Sequence, residues 1–173
     1  MRLHFIYLLA IGLISGCKSS DINKHDKATE DFLTHIQQQT FQYFWEGAEP
    51  NSGLARERIH IDGVYPENDQ NVITIGGSGF GLMSILVGIH NDFISKEEGL
   101  QRFRKALRFL DSIPRFQGVW SHWYHGDTGK PKAFSTRDDG GDLVETAFLA
   151  QSLITVREYY KAGNQQEQEI AKL

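Results

Sequence analysis

The sequence predicts an all-α fold of the α/α-toroid type, a ring of helices. Three observations carry that expectation. Nearly uncharged helical runs alternate with amphipathic ones, long irregular connections separate them, and no fixed repeat period marks a short-repeat solenoid. Inner helices buried on all sides and outer helices with one polar face produce this alternation. Four helices and the start of a fifth do not close a ring, so the pattern reads as an incomplete, apparently truncated barrel.

The first helix is predicted over 29–48. Phe32, Leu33, Ile36, Phe41, Phe44 and Trp45 recur at roughly the helical period, and Pro50-Asn51-Ser52-Gly53 ends it with turn chemistry. Residues 54–71 keep no period. A glycine-rich run, 76–81, then leads into 82–89, apolar nearly all round and expected to be buried on every side.

Ser95-Lys96-Glu97-Glu98 has the form of a capping box. Leu100, Phe103, Leu107 and Leu110 follow on one face, with Arg102, Lys105 and Arg108 expected outward and Pro114 closing the helix. Residues 116–134 form a second long connection, rich in Gly, His and Trp. The fourth helix is predicted over 142–162 with Gly163 as its stop, and a fifth begins at Asn164.

Composition narrows the function classes. A net charge of −4 gives no electrostatic case for nucleic acid or an anionic membrane surface. The single cysteine, Cys17, excludes an internal disulfide. Its setting is informative: Met1-Arg2 gives a positive start, residues 5–14 are apolar but short, and Leu13-Ile14-Ser15-Gly16-Cys17 resembles a lipoprotein cleavage box. The expected organisation is a signal peptide at 1–16, a flexible tether at 17–28 carrying the lipid on Cys17, and a helical domain at 29–173. Such a protein is exported and touches the membrane only through its anchor, and a monomer is expected.

The chemistry concentrates in Asp138-Asp139-Gly140-Gly141-Asp142-Leu143-Val144-Glu145, four acids ahead of an uncharged run, 146–156. One reading is structural: Asp142 caps the helix and Glu145 completes a capping-box-like pair. It leaves Asp138 and Asp139 unexplained. The other is a site, in which the glycine pair turns the chain so that Asp138 and Asp142 converge on one pocket. A helix N-terminus lowers a carboxyl pKa, which suits Asp142 to base or charge-stabilising work rather than proton donation. A glycosidase also needs an acid of raised pKa. No residue of this chain offers one, so that acid is expected beyond Leu173.

Residues 118–127 hold Trp120, His122, Trp123 and His125 between glycines, flat faces and polar edges suited to sugar rings. An aromatic loop tucked under the core uses the same residues. His122 and His125 lack a ligand set at an established spacing, so no metal is expected. The charged run Leu54-Ala55-Arg56-Glu57-Arg58 grips substrate or forms surface ion pairs. The glycine run lacks the spacing and the lysine of a phosphate loop.

Taken in order, Thr40-Phe41-Gln42-Tyr43-Phe44-Trp45, Gly53-Leu54-Ala55-Arg56-Glu57-Arg58, Gly76-Gly77-Ser78-Gly79-Phe80-Gly81, Trp120-Ser121-His122-Trp123 and residues 138–146 resemble the bacterial glycoamylase-like family, which includes endo-β-1,2-glucanases. The resemblance implies the first part of an (α/α)6 barrel and cofactor-free, inverting hydrolysis of β-glucan. It matches Asp138 and Asp142 to the family's catalytic candidates. It also leaves Arg56, Glu57, Trp120, His122, Trp123, Asp139 and Glu145 as substrate-binding candidates. A glucan-binding lipoprotein without catalysis is the alternative expectation, and a helical scaffold for partner proteins ranks after it.

Overall fold

The computed structural model describes residues 22–173. Cys17, the signal peptide and the first part of the expected tether lie outside them. The chain divides into two compact units, 1–36 and 37–173. In the first unit the described residues are the leading part of α1, Ile22–Trp45. This helix begins ahead of the expected start, so the later part of the expected tether is helical. Phe32, Leu33 and Ile36 are exposed there, against the sequence expectation. Helical periodicity marks an apolar face; it does not say that anything covers it.

In the second unit α1 buries Phe41, with Trp45 stacked on it at 5.8 Å. The turn that follows is organised by Glu49, fully buried, which accepts hydrogen bonds from Ser52 N at 2.7 Å and Asn51 Nδ2 at 2.8 Å. A buried carboxylate persists only with such donors.

Residues 54–71, read as irregular, contribute one strand-like contact: Arg56 lies opposite Ile73. Ile73 belongs to β1 (Val72–Thr74), which pairs antiparallel with β2 (Trp123–His125), itself paired with β3 (Pro131–Lys132). The sheet order is β1-β2-β3. These strands are two or three residues long, too short for a period of two to declare itself, and the sequence reading missed them.

α2 (Ile75–His90) starts directly from β1 and takes the glycine run into its first turns. α3 (Lys96–Ser112) is capped as the sequence predicts: Ser95 Oγ accepts from Glu98 N and Glu98 Oε2 accepts from Ser95 N. Leu100, Phe103, Leu107 and Leu110 are all buried. Arg102, expected outward, is instead half-buried, its guanidinium 4.2 Å from the Trp45 ring centroid and bonded to Trp45 O at 3.1 Å. The stem packs and the planar head finds an aromatic face.

α4 (Leu143–Tyr160) packs chiefly on α2, and α5 (Gln165–Lys172) on α4 and α3. Two apolar helices thus lie together with two amphipathic ones behind them, the inner and outer layering expected of a toroid. Glycine sets the closeness of the inner pair: a Cβ on Gly79 would stand 2.7 Å from Phe148 O. The inner helices are not buried all round, however. α4 buries Leu149, Ser152, Val156 and Tyr160 on one stripe. It leaves Leu143, Val144, Phe148 and Ile154 exposed, and α2 leaves Phe80, Met83 and Val87 exposed. Among the described residues no element covers those faces, which is why all-round apolarity does not become all-round burial.

Candidate active site

The site grows from the first turn of α4. Asp142 is the N-cap residue: its Oδ1 accepts from Val144 N at 2.9 Å and Glu145 N at 3.0 Å. Its own N–H donates to Trp120 O at 2.7 Å, and Trp120 N donates to Thr146 Oγ1 at 3.1 Å. These bonds pin the 120–123 segment to the helix start. Gly141 lets the two chains meet, since a Cβ there would lie 2.8 Å from Val119 Cβ.

A second turn brings in Asp138. Its carbonyl accepts from Phe134 N at 2.9 Å and Ser135 N at 3.2 Å, and its N–H donates to Ser135 O at 3.1 Å. The turn is closed by backbone bonds, which leaves the Asp138 side chain free for other contacts. It joins two others: His122, Asp138 and Asp142 each bring one polar side-chain atom within 4.8 Å of the others. The predicted convergence of Asp138 and Asp142 is therefore present.

His122 Nδ1 and Asp142 Oδ2 are 2.8 Å apart, and both side chains are largely buried. Burial pushes the Asp142 carboxyl up, but bonds from Glu145 N–H, His122 and Val144 N–H outweigh it and hold the group below the usual carboxylate range. Asp142 is thus ionised at neutral pH and suited to accept a proton or stabilise positive charge. One oxygen of each carboxyl comes within 4.8 Å of the other at the same helix start, a shared setting that argues against opposite acid and base roles for the pair.

The same three side chains are a set that could hold a metal ion. The Asp142 oxygens are already engaged: Oδ1 faces two N–H groups at the positive end of α4 and Oδ2 faces His122. That environment favours a hydrogen-bonded anion over a cation ligand.

The remaining candidates separate. Glu145 does not complete a capping box; its Oε2 accepts from Gly76 N at 2.7 Å and Thr74 Oγ1 at 3.0 Å. It ties the start of α4 to the start of α2, and a Cβ on Gly76 would collide with it at 2.8 Å. Asp139 is exposed. Trp120, expected on a sugar platform, is only 9% exposed and belongs to the core, because the bonds that hold its backbone to α4 turn its ring inward. Trp123 stays partly open beside the site, 5.2 Å from His122 in a T-shaped contact. Arg56 lies opposite β1 with its Nε buried and without a hydrogen-bond partner, and Glu57 pairs with Arg58.

The sequence reading missed Phe134. Its ring lies 4.4 Å from His122 and 4.9 Å from Trp123, on the turn that carries Asp138. An isolated phenylalanine among polar residues gave no periodic signal.

No protein-family model matches the chain. It is 48% identical over 144 residues to the exo β-1,2-glucooligosaccharide sophorohydrolase (non-reducing end) of Parabacteroides distasonis, an alignment spanning 83% of this chain and 19% of that protein. Among solved structures, an endo-β-1,2-glucanase from Chitinophaga pinensis, in complex with sophorotriose and glucose, is 55% identical with a TM-score of 0.80. It matches over 83% of this chain and 34% of its own. A β-1,2-glucanase from Parabacteroides distasonis is 49% identical with a TM-score of 0.74, over 83% of this chain and 20% of its own. The chain spans about a fifth of the curated relative it matches. At this similarity the helical layering is that of the corresponding part of those glucanases' helical barrels, as the five ordered motifs imply.

Proposed function

We infer, from a chain that is a homologue of the β-1,2-glucan hydrolases over most of its own length, that it contributes to hydrolysis of β-1,2-glucan. The observation that carries this reading is the convergence of Asp142, held ionised by its cap and by His122, with Asp138 beside open aromatic surface. In this reading Asp142 or Asp138 assists a water toward the anomeric carbon. His122 orients the Asp142 carboxylate and offers its other ring nitrogen to a sugar hydroxyl. An acid across the glycosidic oxygen completes inversion.

The test incubates the protein with linear β-1,2-glucan and follows new reducing ends, wild type beside Asp142→Asn. Production by wild type and a loss of at least a hundredfold in the variant support the reading. Equal rates remove Asp142 from the mechanism.

One observation favours a second reading, glucan capture without cleavage: Asp138 and Asp142 converge with His122 on a single spot beside the partly open Trp123 and Phe134 rings, an arrangement that binding alone also accommodates. It predicts retention on immobilised β-1,2-glucan with no new reducing ends over hours.

The proposal extends to location. The charged start, short apolar run and Ser15-Gly16-Cys17 support export and lipid anchoring through Cys17 to the cell envelope. Metabolic labelling with a radioactive fatty acid, lost in Cys17→Ala, is the expected outcome.

A further inference from the structure

We propose that Phe134 is the sugar-stacking platform of this site, taking the apolar face of the glucose ring that lies against Asp138 and Asp142; the proposal rests on the glucan reading above.

Trp120 is excluded from that role by its burial in the core. Trp123 is crowded: Lys132 Nζ stands 5.6 Å from its ring centroid, His122 meets it edge-on at 5.2 Å, and Phe134 leans on it at 4.9 Å. A sugar ring held between two aromatic rings needs about 3.5–4.0 Å on each side, so centroids at least about 7 Å apart. The 4.4 Å and 4.9 Å separations leave no such slot. Sugar therefore stacks on an outer face, and Phe134 keeps one: it is 50% exposed, although it packs on both neighbours.

Phe134 N donates to Asp138 O, so the two residues sit on one closed turn. The contact with His122, tilted by 34°, couples the ring to the partner of Asp142. A pyranose with equatorial substituents presents axial C–H groups on both faces, and the electron-rich face of a phenyl ring attracts them. A ring stacked on Phe134 has its edges, where hydroxyls and glycosidic oxygens lie, beside the carboxylates.

The test is titration of the full chain with sophorotriose, followed by calorimetry and by tryptophan fluorescence, for wild type, Phe134→Leu and Phe134→Tyr. Leucine keeps the packing on His122 and Trp123 but offers no flat face. The expected result is affinity weaker by about five- to tenfold in Phe134→Leu, near wild type in Phe134→Tyr, and an unchanged urea unfolding midpoint in both. Wild-type binding matched by Phe134→Leu overturns the platform alone. An unfolding midpoint that falls with the lost affinity also overturns it, because the ring then only supports the packing of the turn. Absence of wild-type binding overturns the glucan reading and the platform together.

Discussion

Replacing Asp142 separates its two duties. Its Oδ1 caps α4 through Val144 N–H and Glu145 N–H, and its Oδ2 meets His122 at 2.8 Å. Asp142→Ala removes both. Loss of an N-cap costs about 1 kcal/mol, and loss of a charge-assisted hydrogen bond that leaves a largely buried imidazole nitrogen unpaired costs about 1–2 kcal/mol more, so the expected destabilisation is about 2–3 kcal/mol at pH 7. Asp142→Asn keeps the cap, since asparagine caps as well as aspartate, and loses only the charge, about 1 kcal/mol. The pH dependence has a definite sign. The folded carboxyl lies below its ordinary value, so its stabilisation is fully present above the unfolded value of about 3.9 and is lost as pH falls through the lower folded value. Wild type and Asp142→Asn therefore differ at pH 7 and converge as pH falls below 4. Urea unfolding at several pH values between 3 and 7 reads this directly. If Asn and Ala variants are equally destabilised, or if the gap between wild type and Asn is the same at pH 3 as at pH 7, the account of this carboxylate is wrong.

Other outcomes follow from single contacts. Gly79→Ala places a methyl 2.7 Å from the Phe148 carbonyl oxygen and separates α2 from α4; a loss of about 1–3 kcal/mol by urea unfolding is expected. Glu49→Ala strips a fully buried acceptor from Asn51 and Ser52 and is expected to cost about 3 kcal/mol, with a wild-type melting curve as the contradicting result. Glu145→Ala frees Gly76 N–H and Thr74 Oγ1; about 1–3 kcal/mol is lost, and hydrogen exchange at Gly76 speeds while that at Glu98 does not. Phe80 and Phe148, 5.3 Å apart and both exposed on the inner helices, form an apolar patch of the kind that drives association. Changing both to serine is expected to lower dye binding and raise solubility without lowering the melting temperature.

Much of this was legible in the sequence, and the boundary has a physical origin. Ser95 and Glu98 announce the start of α3 because a cap is a local affair of four residues, and the Leu100 to Leu110 stripe is local in the same sense. Asp139 and a glycine pair, Gly140-Gly141, lie between Asp138 and Asp142, so a turn bringing the two acids together could be read from spacing. Glu145 could not be placed so: its partners, Thr74 and Gly76, are about seventy residues back and depend on how α2 meets α4. Trp120 and Trp123 sit three apart in one loop, and nothing in their spacing says which turns inward; the backbone bonds from residue 120 to α4 decide it. Apolar runs told which helices are inner but not which faces are covered, because coverage is a property of neighbours. The strands were invisible since pairing, not pattern, makes a two-residue strand.

The central claim is that the carboxylates at the start of α4 form a glucan site together with His122. NMR of the histidine side chains during addition of sophorotriose tests it most directly. The account predicts that the ring nitrogen signals of His122 move in proportion to occupancy, that those of His90 stay still, and that Asp142→Asn abolishes the effect. Saturable binding that leaves His122 unmoved would place the sugar elsewhere and contradict the account.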